Sequence, residues 1–586
     1  MQKTRALLGN LAAIFLAGKA RLAPYGPHLA IFILAFTTFV TGLTGIIYEY
    51  TLSTVATYIL GNSIEQFSIT IGVMLLMMGV AGWLQQYITQ RSLVFQFMLV
   101  EMLLALVGGF APLVMYASFG FLETHFALVQ YSFAMLIGFF IGFELPLAIR
   151  IGRNFLDSLA KNLAIGFSFD FLGAFVGAII FSRVLLKNFS LTEMSFLIAA
   201  TNIMVAVMIF FCFVRDKGIK KFVGYSLPLV AIAALLFYGY THNRQWNVEL
   251  EQRLYKDKIV FAKTSPYQRI VLTKNSERSE HRLFLNGNLQ FSSLDERRYH
   301  EFLVHVPMLF VPEDKKVKVL ILGGGDGLGL RDLLKYPNIE SVTLVDLDPQ
   351  MVRFAATHPV MAKLNEGSFV NAKVKVLESG AVTEGPKEPL IIEGPRSLRA
   401  KRVPPPALKV TDISVINLDA DKFLREIDDV YDVVIVDFPD PRSVELCKLY
   451  SKEFYLKLRR VLAPDGIAAV QSTSVYYSKE PFLMIGRTMA SAGFTVLPYH
   501  HEIPVFGDWG YHLLRKDGAS KSAMAEHLRS VRSLPSGIET HYLTPELVAN
   551  SVNFGRNMLF SSEPPDINTL MEPKLLALYL KSWVVD

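Results

Sequence analysis

Cysteine is almost missing from this chain. Cys212 and Cys447 are the only two in 586 residues, and the first lies in an apolar run. Two isolated cysteines make neither a disulfide framework nor a thiolate metal site. Dense positive charge is missing as well. The net charge of +6 is modest and no basic tract extends beyond short loops, which leaves no case for nucleic acid as a partner. No internal repeat is visible. Across residues 27–240 charge of either sign thins out, and apolar residues dominate.

Seven segments there approach the ~20 residues that cross a bilayer: about 28–47, 66–88, 94–118, 125–149, 162–184, 192–214 and 222–240. The loops between them are short, so one antiparallel bundle is expected. Gly173, Ala174, Gly177 and Ala178 are small enough to allow close helix contact. Four acids sit in or at the edge of these spans: Glu49, Glu101, Glu144 and Asp170. Glu49 and Glu144 are placed near span ends. Ionisable groups inside a membrane are costly and functional by default. They either pair with Arg150, Arg153 or Lys161 and tie helices together, or mark a cation pathway. Residues 1–26 carry Lys3, Arg5, Lys19 and Arg21 around a short apolar run with no convincing cleavage site. An amphipathic segment lying on the membrane is expected there.

After Tyr240 the pattern changes. Residues 258–291 alternate through KIVFA, QRIVLTK and HRLFLNGNLQF, with Asn286-Gly287 as a two-residue hairpin turn. A small antiparallel β domain is expected over 250–295, then a helix over 296–308. A strand beginning near Asn371 is interrupted by about thirty residues rich in Pro, Gly and basic groups, and resumes at DISVINLDAD. Residues 380–410 read as a loosely attached surface insertion. Strands follow at 432–436 and 467–470, a helix near 480–492, and a final β pair containing GDWGYHLL.

The stretch VKVLILGGGDGLGLRDLLKYPNIESVTLVDLDP, residues 317–349, organises the rest. An apolar β-branched run reads as a buried strand. Gly323, Gly324, Gly325 and Gly327 make a turn that side chains would block, and a helix opens at Leu328. A second strand ends in Asp346 and Asp348. This is the first βαβ unit of a doubly wound sheet, with glycines that let a ligand touch backbone and a strand-end acid placed for ribose hydroxyls. Gly323 and Gly325 are therefore nucleoside-binding candidates. Asp326 inside the loop would repel a diphosphate and attract a sulfonium nucleoside with a cationic tail.

Ligands of open α/β sheets bind beyond the carboxyl ends of the strands. Four such ends carry acids here: Asp326, Asp346, Asp419, and Asp437 with Asp440. No histidine or cysteine set accompanies them, so no transition metal is expected. Mg²⁺ is an alternative, but acids spread along a groove suit a polycationic amine better. The bland readings are that Asp437 caps the next helix and that His300 is a satisfied, half-buried histidine.

The segments YQRI (267–270), LNGNLQFSSLDERRYHEFLVHVPM (285–308), GGGDG (323–327), LVDLDP (344–349), LDAD (418–421), DFPDP (437–441) and LYSKEFY (449–455) occur in that order. Together they resemble spermidine synthase and its aminopropyltransferase relatives over about 255–515, in a branch fused to membrane spans. The resemblance implies an α-helical transmembrane bundle followed by a small antiparallel β domain and a doubly wound, Rossmann-like α/β domain of methyltransferase type. The boundaries are 1–26 amphipathic, 27–241 membrane, 250–295 β domain, 296–535 transferase and 536–586 C-terminal extension. It implies transfer of the aminopropyl group of decarboxylated S-adenosylmethionine, a co-substrate, to a diamine, putrescine by default, yielding spermidine and methylthioadenosine. No tightly bound cofactor and no metal are implied. Gln268 and Asp346 would hold the ribose or thioether region, and Asp419 and Ala420 would face adenine. His300 and Asp326 would hold the amine or aminopropyl end, and Tyr267 would line the groove. Asp437 and Asp440 would flank the reacting nitrogen, one of them as general base. Gln471 completes the amine set.

Two segments depart from the family pattern. PRSVELCK follows the second aspartate where PxGP is usual, and IPVFGDWG places Phe506 where a tyrosine hydroxyl is usual. Both help shape the amine site, so the acceptor's identity rests on resemblance alone. Two other readings stay open: a methyltransferase using intact S-adenosylmethionine, and a polyamine transporter or sensor with a nucleoside-binding domain. The expected partners are the amine and nucleoside substrates and the lipid bilayer of a bacterial inner membrane, with a homodimer as an open alternative. Sidedness is pulled two ways. Loops on the N-terminal side hold Lys3, Arg5, Lys19, Arg21, Arg91, Arg150, Arg153, Lys161, Arg215, Lys217, Lys220 and Lys221, against Arg183 and Lys187 on the other. That favours an N-terminus in the cytoplasm and, with seven spans, a catalytic domain outside. A nucleoside made in the cytosol argues for a cytoplasmic catalytic domain, the placement expected here.

Overall fold

The structure is a computed structural model. It describes residues 26–60, 63–88, 93–121, 125–156, 158–213, 219–370, 373–376, 390–391, 412–561, 564 and 566–582. The chain divides into two compact units, Met1–Lys256 and Asp257–Asp586.

The first unit consists of long helices: α1 (Gly26–Leu60), α2 (Ser63–Leu84), α3 (Leu93–Phe121), α4 (Phe126–Gly152), α5 (Leu159–Ile180), α6 (Leu191–Phe213) and α7 (Ile219–Arg253). Among the described residues, seven helices are long and apolar enough to cross a membrane. Two run further than the sequence pattern suggests. α1 continues to Leu60 and α7 to Arg253, so Glu49 lies well inside a helix rather than near its end. The small residues of α5 do what their size allows. A Cβ on Gly173 would stand 1.9 Å from the Phe39 carbonyl oxygen, and one on Gly42 at 1.9 Å from that of Asp170. Backbones of α1 and α5 therefore touch, as small-residue helix crossings require. Among the described residues, the expected pairing of Arg150 with the acids of these helices is not seen. Its guanidinium donates instead to the Gln85 and Ile88 carbonyls and to Gln85 Oε1, satisfying the end of α2, where helix carbonyls lack partners.

The second unit opens with a four-stranded antiparallel sheet, β1 (Lys258–Thr264), β2 (Arg269–Asn275), β3 (Glu280–Leu285) and β4 (Asn288–Ser292). Asn286 and Gly287 join β3 to β4 with φ of 50° and 76°, the geometry of a type I′ hairpin turn. Helix α8 (Glu296–Met308) leads into a nine-stranded sheet of order β12-β13-β11-β10-β5-β6-β9-β7-β8. Its strands are β5 (Val317–Gly323), β6 (Ile339–Asp346), β7 (Lys373–Val376), β8 (Leu390–Ile391), β9 (Asp412–Asn417), β10 (Tyr431–Asp437), β11 (Leu462–Ser474), β12 (Thr495–Ile503) and β13 (Gly507–Arg515). The strands from β11 across to β7 pair in parallel, and β13, β12 and β8 pair antiparallel. The strand expected to resume after an interruption is two neighbours: β7 lies beside β9 in register Lys373↔Ser414. Most of the 380–410 insertion lies outside the described residues.

β5 and β10 are the centre of the sheet, and their continuous apolar runs follow from burial on both faces. Val319, Ile321, Val433 and Ile435 enter one core. Leu320, Leu322, Val434 and Val436 enter the other, with Phe423, Phe454 and Leu458. Each such side chain contributes about 1.5–3 kcal/mol on burial. After β5 the chain runs outward to β6 and β9, then returns to β10 on the opposite side. The crevice where strand order reverses therefore opens at the carboxyl ends of β5 and β10.

Candidate active site

At that reversal Asp437 of β10 pairs with Gly323 of β5. A Cβ on Gly323 would lie 2.1 Å from the Asp437 carbonyl oxygen, and Gly323, Gly324 and Gly327 all have positive φ. Glycine is required here by conformation and by the close strand approach. Gly327 ends the loop as the N-cap of α9 (Leu328–Leu333), and Asp326 Oδ1 accepts from the Leu328 N–H at 2.9 Å.

The end of β6 closes onto the same loop. Asp346 accepts from the Gly325 N–H at 3.0 Å and the Asp348 N–H at 2.9 Å. Burial first, with the charges of Asp348 and Asp326, pushes its carboxyl up to about 7 against those two donors. Asp348 caps α10 (Pro349–Thr357) through the Gln350 N–H. Its other oxygen accepts from Ser265 Oγ at 2.7 Å and Gln268 Nε2 at 3.0 Å. Gln268 is thus brought to the β6 end, bonded to Asp348 rather than Asp346. Ser265 and Asp348 were not among the predicted site residues, although Asp348 follows the expected acid at a capping position before a proline. Tyr267, beside them, is 48% exposed.

Asp419, after β9, caps α12, here the helix Ala420–Glu426, counting α11 as Pro359–Leu364. It also pairs with Lys448 Nζ at 2.6 Å, and Ala420 is buried beside it. Asp437 caps nothing, because the next helix, Val444–Cys447, is capped by Ser443.

The two candidate catalytic acids are held differently. Asp437 Oδ1 accepts from the Tyr299 hydroxyl at 2.6 Å. Among the described residues no hydrogen bond reaches its other oxygen. Burial foremost, aided by Asp326 and opposed by His300 and Tyr299, raises its carboxyl to about 6. Asp440 is buried and more fully bonded. Its Oδ2 accepts from Tyr579 at 2.7 Å and Thr473 at 3.2 Å, and Oδ1 from Gln471 Nε2 at 3.4 Å. Burial raises its carboxyl too, while Arg442 opposes. Gln471 also donates to the Tyr450 hydroxyl and the Phe438 carbonyl, fixing the DFPDP turn from below.

His300, 3% exposed, lies on α8 with Nδ1 at 3.1 Å from Glu296 Oε2. Burial works against its charge, yet the Glu296 contact and the fields of Asp326 and Asp437 lift it to about 9. Glu296 also accepts twice from Arg331, at 2.8 and 3.0 Å, and is held down to about 2. The histidine is therefore an imidazolium facing the acids. Glu296 and His300 stand at i,i+4, a spacing that brings side chains together on a helix and could have exposed the pair in the sequence. Phe506, in place of the expected tyrosine, packs 5.0 Å from Trp509, whose ring is 6.4 Å from Tyr299. Tyr299 and Tyr579 were missed altogether.

Comparison with known proteins gives the family. The Spermine/spermidine synthase domain family matches residues 296–383 and 402–524. Polyamine aminopropyltransferase of Leptospira interrogans is 34% identical over 542 residues, covering 92% of this chain and 96% of its own. Polyamine aminopropyltransferase 1 of Streptomyces coelicolor is 35% identical, covering 94% of each chain, and polyamine aminopropyltransferase 2 of Aquifex aeolicus is 34% identical, covering 93% and 97%. A solved spermidine synthase from Thermotoga maritima is 22% identical, with TM-score 0.39 over 51% of this chain and 87% of its own. The 542 aligned residues of the Leptospira relative are more than the second unit contains, so the similarity extends into the helical unit. Over nearly its whole length, then, the chain belongs to the polyamine aminopropyltransferase family.

Proposed function

We propose that the second unit transfers the aminopropyl group of decarboxylated S-adenosylmethionine to a diamine, with putrescine as the default acceptor. The observation that carries this reading is the unequal pair at the β10 end. Among the described residues, Asp437 has one carboxylate oxygen without a donor, while Asp440 is anchored by three. The nucleophile must be a neutral amine, and diamines are charged at pH 7. Asp437 accepts the proton, Asp440 orients the ammonium end, and the amine nitrogen attacks the carbon beside the sulfonium. The carbon–sulfur bond breaks, sulfur regains its electron pair, and methylthioadenosine leaves. Positioning the two reactants in line supplies much of the rate, and the base supplies ~10²–10⁴.

Around that centre Asp346, Gln268 and the backbone at Gly323 and Gly325 hold the nucleoside, with Asp419 and Ala420 at its adenine. Tyr267 and Gln471 border the amine groove. Asp326 attracts the aminopropyl ammonium. An imidazolium at His300 repels an ammonium, so its part is to keep Asp437 ionised. The first unit crosses a bacterial inner membrane, with the second unit on the cytoplasmic side, where the nucleoside is made.

The test is to incubate purified full-length protein with decarboxylated or intact S-adenosylmethionine and a panel of diamines, and to identify products by mass. Aminopropylated putrescine is expected. A methylated amine from intact S-adenosylmethionine would replace this reading with methyl transfer.

A further inference from the structure

The core of the first unit holds carboxylates that no cation among the described residues neutralises. Glu101 on α3 and Glu144 on α4 are both 0% exposed. Glu101 Oε2 accepts from Asn202 Nδ2 of α6 at 2.8 Å, and Asn202 Oδ1 accepts from the Tyr48 hydroxyl of α1 at 3.2 Å. Among the described residues, Glu101 Oε1 and both oxygens of Glu144 have no hydrogen-bond partner. Glu101, Asp170 and the Thr41 hydroxyl of α1 lie near Glu144. The Thr41 hydroxyl is 2% exposed and has no other partner among the described residues. Arg150, the basic residue one and a half turns along α4, is engaged elsewhere.

Burying an ionised carboxylate without a partner is prohibitive, so such groups are neutralised or hold a cation. The geometry favours a particular cation. Three carboxylate oxygens lack donors, and a primary ammonium carries three N–H donors and no acceptor. The Thr41 hydroxyl adds an oxygen beside Glu144. A narrow crevice lined by Ile31, Leu34, Thr38, Ala148, Asn162 and Gly166 lies one turn away along α1 and α4.

We propose that Glu101 and Glu144, with Thr41, form a second binding site, inside the helical unit, for the primary ammonium of a diamine or polyamine. The choice of an amine rests on the aminopropyl-transfer reading of the second unit. Putrescine and spermidine share this chemistry and are separated by the test.

Full-length protein in lipid nanodiscs is titrated to saturation with radiolabelled putrescine and, separately, spermidine. Glu101→Gln/Glu144→Gln is expected to bind one equivalent fewer than wild type of whichever amine the site takes, while still forming aminopropylated product at saturating amine. The difference between the two proteins is the readout, so it stands whether or not the second unit binds amine. Equal stoichiometry for both amines overturns the site. A site filled by radiolabelled sodium and not displaced by either amine also overturns it. A wild-type measurement covers misfolding of the variant. Dicyclohexylcarbodiimide labelling of Glu101 and Glu144, mapped by peptide mass, should be suppressed by the amine and not by sodium chloride. Equal labelling with and without amine would sink the proposal.

Discussion

Asp437 and Asp440 are three residues apart, and the proposed reaction gives them separate tasks. Asp437→Asn should lower kcat by ~10²–10⁴, the usual loss for a positioned base, with an unchanged far-ultraviolet circular dichroism spectrum. Asp440→Asn should also lose turnover far more than folding, mainly through a raised KM for the amine. Wild-type turnover in both variants would remove the catalytic assignment. The pH profile carries a sign. Burial raises Asp437 from 3.8 to about 6; below that value it is protonated and cannot accept a proton. kcat/KM should therefore rise with pH through about 6, on a limb that Asp437→Asn abolishes. Tyr579 makes a finer test. Hydrogen bonds to charged groups are worth about 1.5–3 kcal/mol, so Tyr579→Phe should raise KM for the amine on the order of tenfold. Nucleoside affinity, measured by calorimetry, should not change. The sequence announced Asp437 and Asp440 through their strand-end setting. It could not announce Tyr579, which lies 139 residues from its partner, carries no motif, and stands beyond the family match ending at 524.

Elements were readable where one local cause dominates. The β5 and β10 runs are apolar through Val319–Leu322 and Val433–Val436 because both faces are covered there, and Asn286-Gly287 leaves little choice of turn. Reading failed where the cause is tertiary. β7 and β9 look like one broken strand because adjacency in a sheet leaves no trace in chain order. α1 looked shorter than it is because Glu49 and Tyr50 interrupt the apolar pattern while packing continues to Leu60. The family match skips 384–401, inside the Pro-rich, basic segment whose composition cannot build a core. Deleting 381–409 should therefore leave nucleoside binding intact. The cost at the sheet is small: β8, two residues paired with β7 at the edge. Calorimetric titration with methylthioadenosine checks this. A deletion variant that folds and no longer binds would mean that the insertion shapes the site.

At the scale of the whole molecule, the number of spans fixes a relation between the basic loops and the catalytic unit. If all seven helices cross, the loops after the second, fourth and sixth would lie on the opposite side from Asp257–Asp586. Those loops and helix ends hold Arg91, Arg150, Arg153, Lys161, Arg215, Lys217, Lys220 and Lys221, and the positive-inside bias draws them to the cytoplasm. An added crossing before Gly26 would not change this, since every later loop keeps its relation to the second unit. The bias is nevertheless a preference set during insertion, and Arg150 is already bound to helix-end carbonyls rather than free to face lipid head groups. Substrate supply is a stricter condition: an aminopropyl donor made in the cytosol must reach the crevice at β5 and β10. We expect a fluorescent protein that matures only in the cytosol to fluoresce when fused after Asp586, and a periplasm-dependent phosphatase fused there to be silent. The reverse pattern would place the second unit outside, give the basic loops their usual side, and require that nucleoside or amine reach the enzyme from beyond the membrane.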